Sequence, residues 1–168
     1  MKTKCKFLSL SIGLLITIAV LTACNSVNHN ITQQPSMKYD TKTIEIVKDA
    51  GSIDAYEDKV FMDILYDEMS DEGFVKDAQS SFKIMYKITK YDPGSRAARF
   101  FGGIFGGGKG LLDVEAKYID NNNVIAKTST SIVFRGGSFG GSFENAFYYV
   151  ADEIADFAGG KLKNKSRK

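Results

Sequence analysis

The chain has 168 residues and carries 22 basic and 20 acidic side chains, with two cysteines and one histidine. A chain of this length holds one domain around a single core. Charge this close to balance excludes the strongly basic footprint of a nucleic-acid-binding domain.

The first element is a leader, not fold. Lys2, Lys4 and Lys6 precede an uncharged run from Phe7 to Thr22, with "LSLSIGLLITIAVL" at its heart. The small residue Ala23 then meets Cys24. These are the parts of a secretory signal peptide over residues 1–23. The run is short for a spanning helix, which needs about 20 apolar residues. The junction "LTAC", Leu21 to Cys24, resembles the bacterial lipobox. That resemblance implies cleavage before Cys24, with palmitate-type lipids on its thiol and new amino group. Ordinary cleavage beside an incidental cysteine is the alternative. Each buried CH₂ contributes about 0.8 kcal/mol, so several acyl chains anchor a protein stably. Cys5 leaves with the leader and Cys24 is acylated, so no thiol remains for a disulfide. Asn25 stands where an Asp typically signals inner-membrane retention. It points to a lipid-anchored protein of the bacterial cell envelope, at the outer membrane and facing the periplasm.

Cleavage removes three lysines and no acid, so the formal balance falls from +2 to −1. Five of the remaining cations sit in a basic tail over residues 161–168, "KLKNKSRK". The tail either touches anionic headgroups or is a solvated end. Without it the rest stands at −6, and no nucleic-acid partner is expected. Residues 25–42, "NSVNHNITQQPSMKYDTK", are polar and show no hydrophobic period. With the lipidated Cys24 they are expected to form a flexible tether over residues 24–42, spanning roughly 23 Å. The folded domain is expected over residues 43–160.

"TIEIV", Thr43 to Val47, alternates as a short strand. A helix is expected over Asp54 to Met69. Asp54 and Glu57 have capping-box spacing, and Tyr56, Val60, Phe61, Ile64, Leu65 and Met69 recur at helical spacing. Gly73 supplies a stop. The acids Asp67, Glu68, Asp71 and Glu72 are read as a solvated helix end, because no imidazole or thiolate accompanies them as metal ligand. "SFKIMYKITKY", Ser81 to Tyr91, is a strand with Phe82, Ile84, Tyr86 and Ile88 on one face. "LLDVEAKYID", Leu111 to Asp120, repeats the pattern with Leu112, Val114, Ala116 and Tyr118. The turn "DNNN", Asp120 to Asn123, tolerates left-handed dihedrals and predicts a hairpin. Its second strand, Val124 to Phe134, is rich in Thr and Ser and reads as a sheet edge. A last helix spans roughly Phe143 to Phe157, with Ser142 as N-cap. Its apolar stripe is Phe143, Ala146, Phe147, Val150, Ile154, Phe157 and Ala158.

The order β-α-β-β-β-α predicts an α+β two-layer sandwich. Its four-stranded, mostly antiparallel sheet would carry two helices on one face.

Two glycine runs remain. "GIFGGGKG", Gly103 to Gly110, satisfies the first seven positions of a phosphate-binding loop. A working loop opens a helix and follows its lysine with Ser or Thr. Here Gly110 follows Lys109 and a strand comes next, so no nucleotide and no other cofactor is assigned. "RAARFFGGIFGGGKG" (Arg96 to Gly110) joins two strands, and "RGGSFGGSF" (Arg135 to Phe143) joins the last strand to the last helix. If the Asn-rich turn closes a hairpin, both runs meet at the opposite end of the sheet. That end carries Arg96, Arg99, Phe100, Phe101, Ile104, Phe105, Lys109, Arg135 and Phe139. Exposed, the rings would enter a bilayer interface or a partner's groove and the cations would meet phosphates or carboxylates. Tucked in, the rings would plug the end of the core.

"YDPGSRAARFFGGIFGGGKGLLDVEAKYID" (Tyr91 to Asp120), followed by "GGSFGGS" (Gly136 to Ser142) and an amphipathic helix, resembles the bacterial lipoprotein family called Domain of Unknown Function 4410. "PGSRAAR", Pro93 to Arg99, is the most specific part. The family's hairpin glycine is replaced here by Asn121 to Asn123. The resemblance implies an envelope lipoprotein and no mechanism.

The expected function is that of a non-enzymatic envelope lipoprotein docking to a membrane or an envelope protein partner through Arg96, Arg99, Phe100, Phe101, Phe105, Lys109, Arg135 and Phe139. A carrier of a lipid or other small apolar ligand is the alternative, and a carboxylate-based hydrolase a third. His29 falls in the expected tether, which would leave the domain without an imidazole or a thiol for catalysis. No catalytic residue is assigned.

Overall fold

The computed structural model describes residues 26–33, 42–50, 53–94, 109–135 and 144–160. In chain order these form β1 (Ser26–Gln33), β2 (Thr43–Lys48), α1 (Ala55–Asp71), β3 (Val75–Lys76), β4 (Phe82–Asp92), β5 (Lys109–Asp120), β6 (Asn123–Arg135) and α2 (Glu144–Ala158). The six strands make one sheet in the order β1-β6-β5-β4-β2-β3. β4, β5, β6 and β1 pair antiparallel, whereas β2 runs parallel to both β4 and β3.

The sheet therefore corrects the expectation of four mostly antiparallel strands. Two strands add to it. β3 is two residues long, caught between the end of α1 and the edge of β2, too short to leave a period in the sequence. β1 lies inside the stretch expected to be a flexible tether. It pairs along β6 from Ser26↔Val133 to Gln33↔Lys127. β6 is consequently an interior strand and not the edge that its Thr and Ser content suggested.

His29 explains how a polar sequence enters the sheet. It pairs with Thr130, is 5% exposed, and its Nδ1 lies 2.7 Å from the Thr130 hydroxyl. Its ring lies 6.2 Å from that of Phe157 on α2. Thr128 is buried next to it on β6, its hydroxyl 3.3 Å from that of Tyr118. The imidazole thus meets the Thr130 hydroxyl and Tyr118 that of Thr128, which lets both Thr side chains occupy core positions without the cost of an unpaired hydroxyl. The imidazole belongs to the domain, contrary to the expectation that it would sit in a tether.

Both helices pack on one face of the sheet. Phe61 of α1 meets Tyr86 of β4 edge-on at 5.1 Å, and Phe157 of α2 meets Tyr118 of β5 at 4.8 Å. Tyr86 and Tyr118 share that face because Ile84 pairs with Tyr118 and Tyr86 with Ala116. Phe61 and Phe147 join the helices at 5.5 Å. The Phe82, Ile84, Tyr86, Ile88 and Leu112, Val114, Ala116, Tyr118 sets are all buried, as strict alternation requires. The opposite face carries charge, with Lys83 bonded to Glu45 and Lys117 to Asp49 at 2.9 Å.

Local signals set the element ends. Asp54 caps α1, its carboxylate accepting from the backbone N–H groups of Tyr56 and Glu57. Gly73 follows the helix with φ +83°, a left-handed turn that costs glycine little. Asn121 and Asn122 take φ 47° and 64° in the two-residue turn between β5 and β6, the geometry that matches the twist of a hairpin.

Candidate docking site

The candidate site is the end of the sheet farthest from the Asn turn. Lys109 and Arg135 are Cα partners at the last step of the β5–β6 ladder. β4 ends beside them, with Asp92 paired to Leu111, and β1 begins there, with Ser26 paired to Val133. Residues 95–108 and 136–143 therefore leave and re-enter the described fold at one rim. Antiparallel pairing makes this unavoidable once the hairpin forms.

The amino-terminal turns of both helices reach the same rim. The Tyr91 hydroxyl donates to a Glu57 carboxylate oxygen in the first turn of α1. The Tyr91 ring stacks on Phe147 in the first turn of α2, at 5.8 Å and 22°. A bulge after Ile88 turns Tyr91 onto the core face of β4, where it joins both helices to the sheet.

Just behind the rim, Asp58 accepts a hydrogen bond from the Tyr86 hydroxyl at 2.9 Å and pairs with Lys48 Nζ at 3.0 Å. Burial, then the bond to Asp58, pushes the Tyr86 phenol well above its usual range. It acts as a neutral donor that ties α1 to β4. The backbone N–H of Glu57, helped by that of Tyr56, holds the Asp54 carboxyl below the usual carboxylate range. These contacts position the helix starts, and the described residues contain no group of three His, Cys, Asp or Glu able to hold a metal ion.

Of the residues singled out in the sequence, Lys109 and Arg135 are brought together as strand partners. Cys24, Arg96, Arg99, Phe100, Phe101, Phe105, Phe139 and the expected cap Ser142 lie outside the described residues. Tyr56 changes its role. Expected on the core stripe of α1, it is 74% exposed. It stands five residues before Phe61, which at 3.6 residues per turn is roughly 140° round the helix and away from the sheet. Tyr148 and Tyr149, 49% and 45% exposed on α2, are further aromatic groups near the rim and are not among the residues expected there. The signal available for them was position. Each follows Phe147, and the buried stripe continues through Val150 and Ala151.

No family model matches the chain, and no curated protein matches it. Solved structures do. The PelC dodecamer from Paraburkholderia phytofirmans, in a single-substitution form, superposes with a TM-score of 0.56 at 12% identity, covering 81% of this chain and 98% of that one. A second crystal form of the same dodecamer gives 0.52 at 13% identity, covering 83% and 99%. Likeness at this identity shows a shared fold. No helix among the described residues is long and apolar enough to cross a membrane.

Proposed function

We propose that the protein is a non-enzymatic, lipid-anchored component of the bacterial cell envelope that docks through the rim where its two glycine runs leave the sheet. The observation that carries this reading is the pairing of Lys109 with Arg135. It sets side by side the points where two segments leave the described fold, and the sequences of those segments carry Arg96, Arg99, Phe100, Phe101, Phe105 and Phe139. The lipobox-like "LTAC" and the resemblance to the Domain of Unknown Function 4410 lipoproteins support the anchor. Replacing Phe101, Phe105 and Phe139 with Ser tests the docking. The triple variant is expected to unfold cooperatively like the parent and to lose crosslinks to envelope components from a probe at residue 104. A variant that fails to fold places those rings in the core and removes the basis of the proposal.

One observation favours a second reading, self-association: the fold is shared with a protein that crystallises as a dodecamer. Light scattering on the detergent-solubilised chain tests it. After the detergent contribution is subtracted, a protein mass several times that of one processed chain is expected, and a monomer at all concentrations rejects it.

A further inference from the structure

The strand β1 changes what an anchor at Cys24 does. It begins at Ser26, so Asn25 alone stands between the cysteine and a residue hydrogen-bonded into the sheet. Two residues span at most about 7 Å when fully extended. An acylated Cys24 sits at the membrane surface, so the first residue of β1 sits within that distance of it. The strand is the edge of a six-stranded sheet and is paired along its length. It cannot swing independently of the domain, as the expected tether would have allowed.

The end of β1 held so close is the rim. Ser26 pairs with Val133, which pairs with Leu111, which pairs with Asp92. The first turns of both helices are joined to the same end through Tyr91. They present Tyr56, 74% exposed, and Tyr148, 49% exposed. Tyrosine is the residue whose apolar ring and polar hydroxyl suit the headgroup layer.

We infer that the rim rests on the membrane that holds the acyl chains, with Tyr56 and Tyr148 at headgroup level and the Asn121–Asn122 turn pointing away from it. The occupant of this face is thus a lipid surface. Attraction to anionic lipid is not its basis, because Asp54, Glu57, Asp92 and Glu144 also lie at this end. The anchor supplies proximity and the tyrosines supply interfacial burial. This inference rests on the acylation of Cys24.

The test uses the full acylated chain in phosphatidylcholine vesicles that carry a headgroup nitroxide. Mass spectrometry first establishes the acyl groups, and acylation leaves Cys24 without a thiol. Single cysteines introduced as Ala55→Cys, Asn145→Cys and Asn122→Cys then carry a fluorophore. The first two are exposed neighbours of the rim tyrosines, so both tyrosines are kept. The third lies beyond the 12-residue β5, about 40 Å along the strand at ~3.4 Å per residue. Several-fold quenching at 55 and 145, with none at 122, is the expected result. Equal quenching at all three sites, or quenching at 122 alone, in an acylated chain overturns the orientation and leaves the anchor intact. Absence of quenching at 55 and 145 in that chain also overturns it and gives the rim to a protein partner or a second copy. A chain found without acyl groups overturns both the orientation and the anchor.

Discussion

Replacing His29 with Leu is expected to change the pH dependence of stability in a calculable direction. Burial holds the His29 imidazole below its ordinary value near 6.5. The unfolded chain takes up a proton as pH falls through about 6.5, and the folded chain does so only at lower pH. The unfolded state then binds more protons, so stability declines as pH falls below that point. One such proton removes up to about 1.4 kcal/mol per pH unit until the folded imidazole also titrates. Above about pH 7 the group contributes no pH dependence. Carboxylates held low in the fold, such as Asp49 and Asp54, lose their contribution only at more acid pH. The variant should therefore lose the slope that sets in below about pH 7. It should also leave the Thr130 hydroxyl without its 2.7 Å partner, at a cost of about 1–3 kcal/mol for an unsatisfied buried group. His29→Leu with Thr130→Val should recover much of that cost, because both polar groups are then gone. Urea titrations of the mature chain followed by tyrosine fluorescence give the numbers, since the protein has eight tyrosines and no tryptophan. Parallel stability–pH curves for the parent and His29→Leu, with no coupling to Thr130, would show that β1 is not part of the sheet.

Asp58→Ala removes the acceptor of the Tyr86 hydroxyl and the partner of Lys48. A loss of about 1.5–3 kcal/mol is expected from a charge-assisted bond, read by denaturant midpoint, and a change below the error of the melt refutes the tie between α1 and β4. Asn122→Val places a β-branched residue at φ 64° in the hairpin turn and should cost about 1–2 kcal/mol, seen as a lower thermal midpoint. A neutral result there would mean that the turn has another geometry.

The parts of the fold legible in the sequence are those where large apolar groups alternate on one strand. Phe82 to Ile88 and Leu112 to Tyr118 state their buried face by period two, and Asn121 and Asn122 state the turn between β5 and β6. From these the meeting of Lys109 and Arg135 follows by pairing geometry. What was hidden was hidden by polar residues in core positions. The alternate positions of β1 are Val27, His29 and Ile31, a period-two pattern interrupted by an imidazole whose partner, Thr130, lies 101 residues away. Thr128 and Thr130 look like edge residues for the same reason, since the strand that covers them is itself polar. The apolar character of Tyr56 suggests the core stripe, and the helical angle from Phe61 puts it outside. The rim itself is legible in the sequence as a place, while the start of β1 at the same end emerges only from the pairing of Ser26 with Val133.

An acylated amino terminus at Cys24, two residues from a strand, is the premise of both the anchor and the orientation. Mass spectrometry of the amino-terminal peptide of the protein recovered from its native membrane tests it directly. The expected peptide begins at Cys24 and carries acyl groups on its amino group and its sulfur. A peptide beginning elsewhere, or beginning at Cys24 without lipid, contradicts the account.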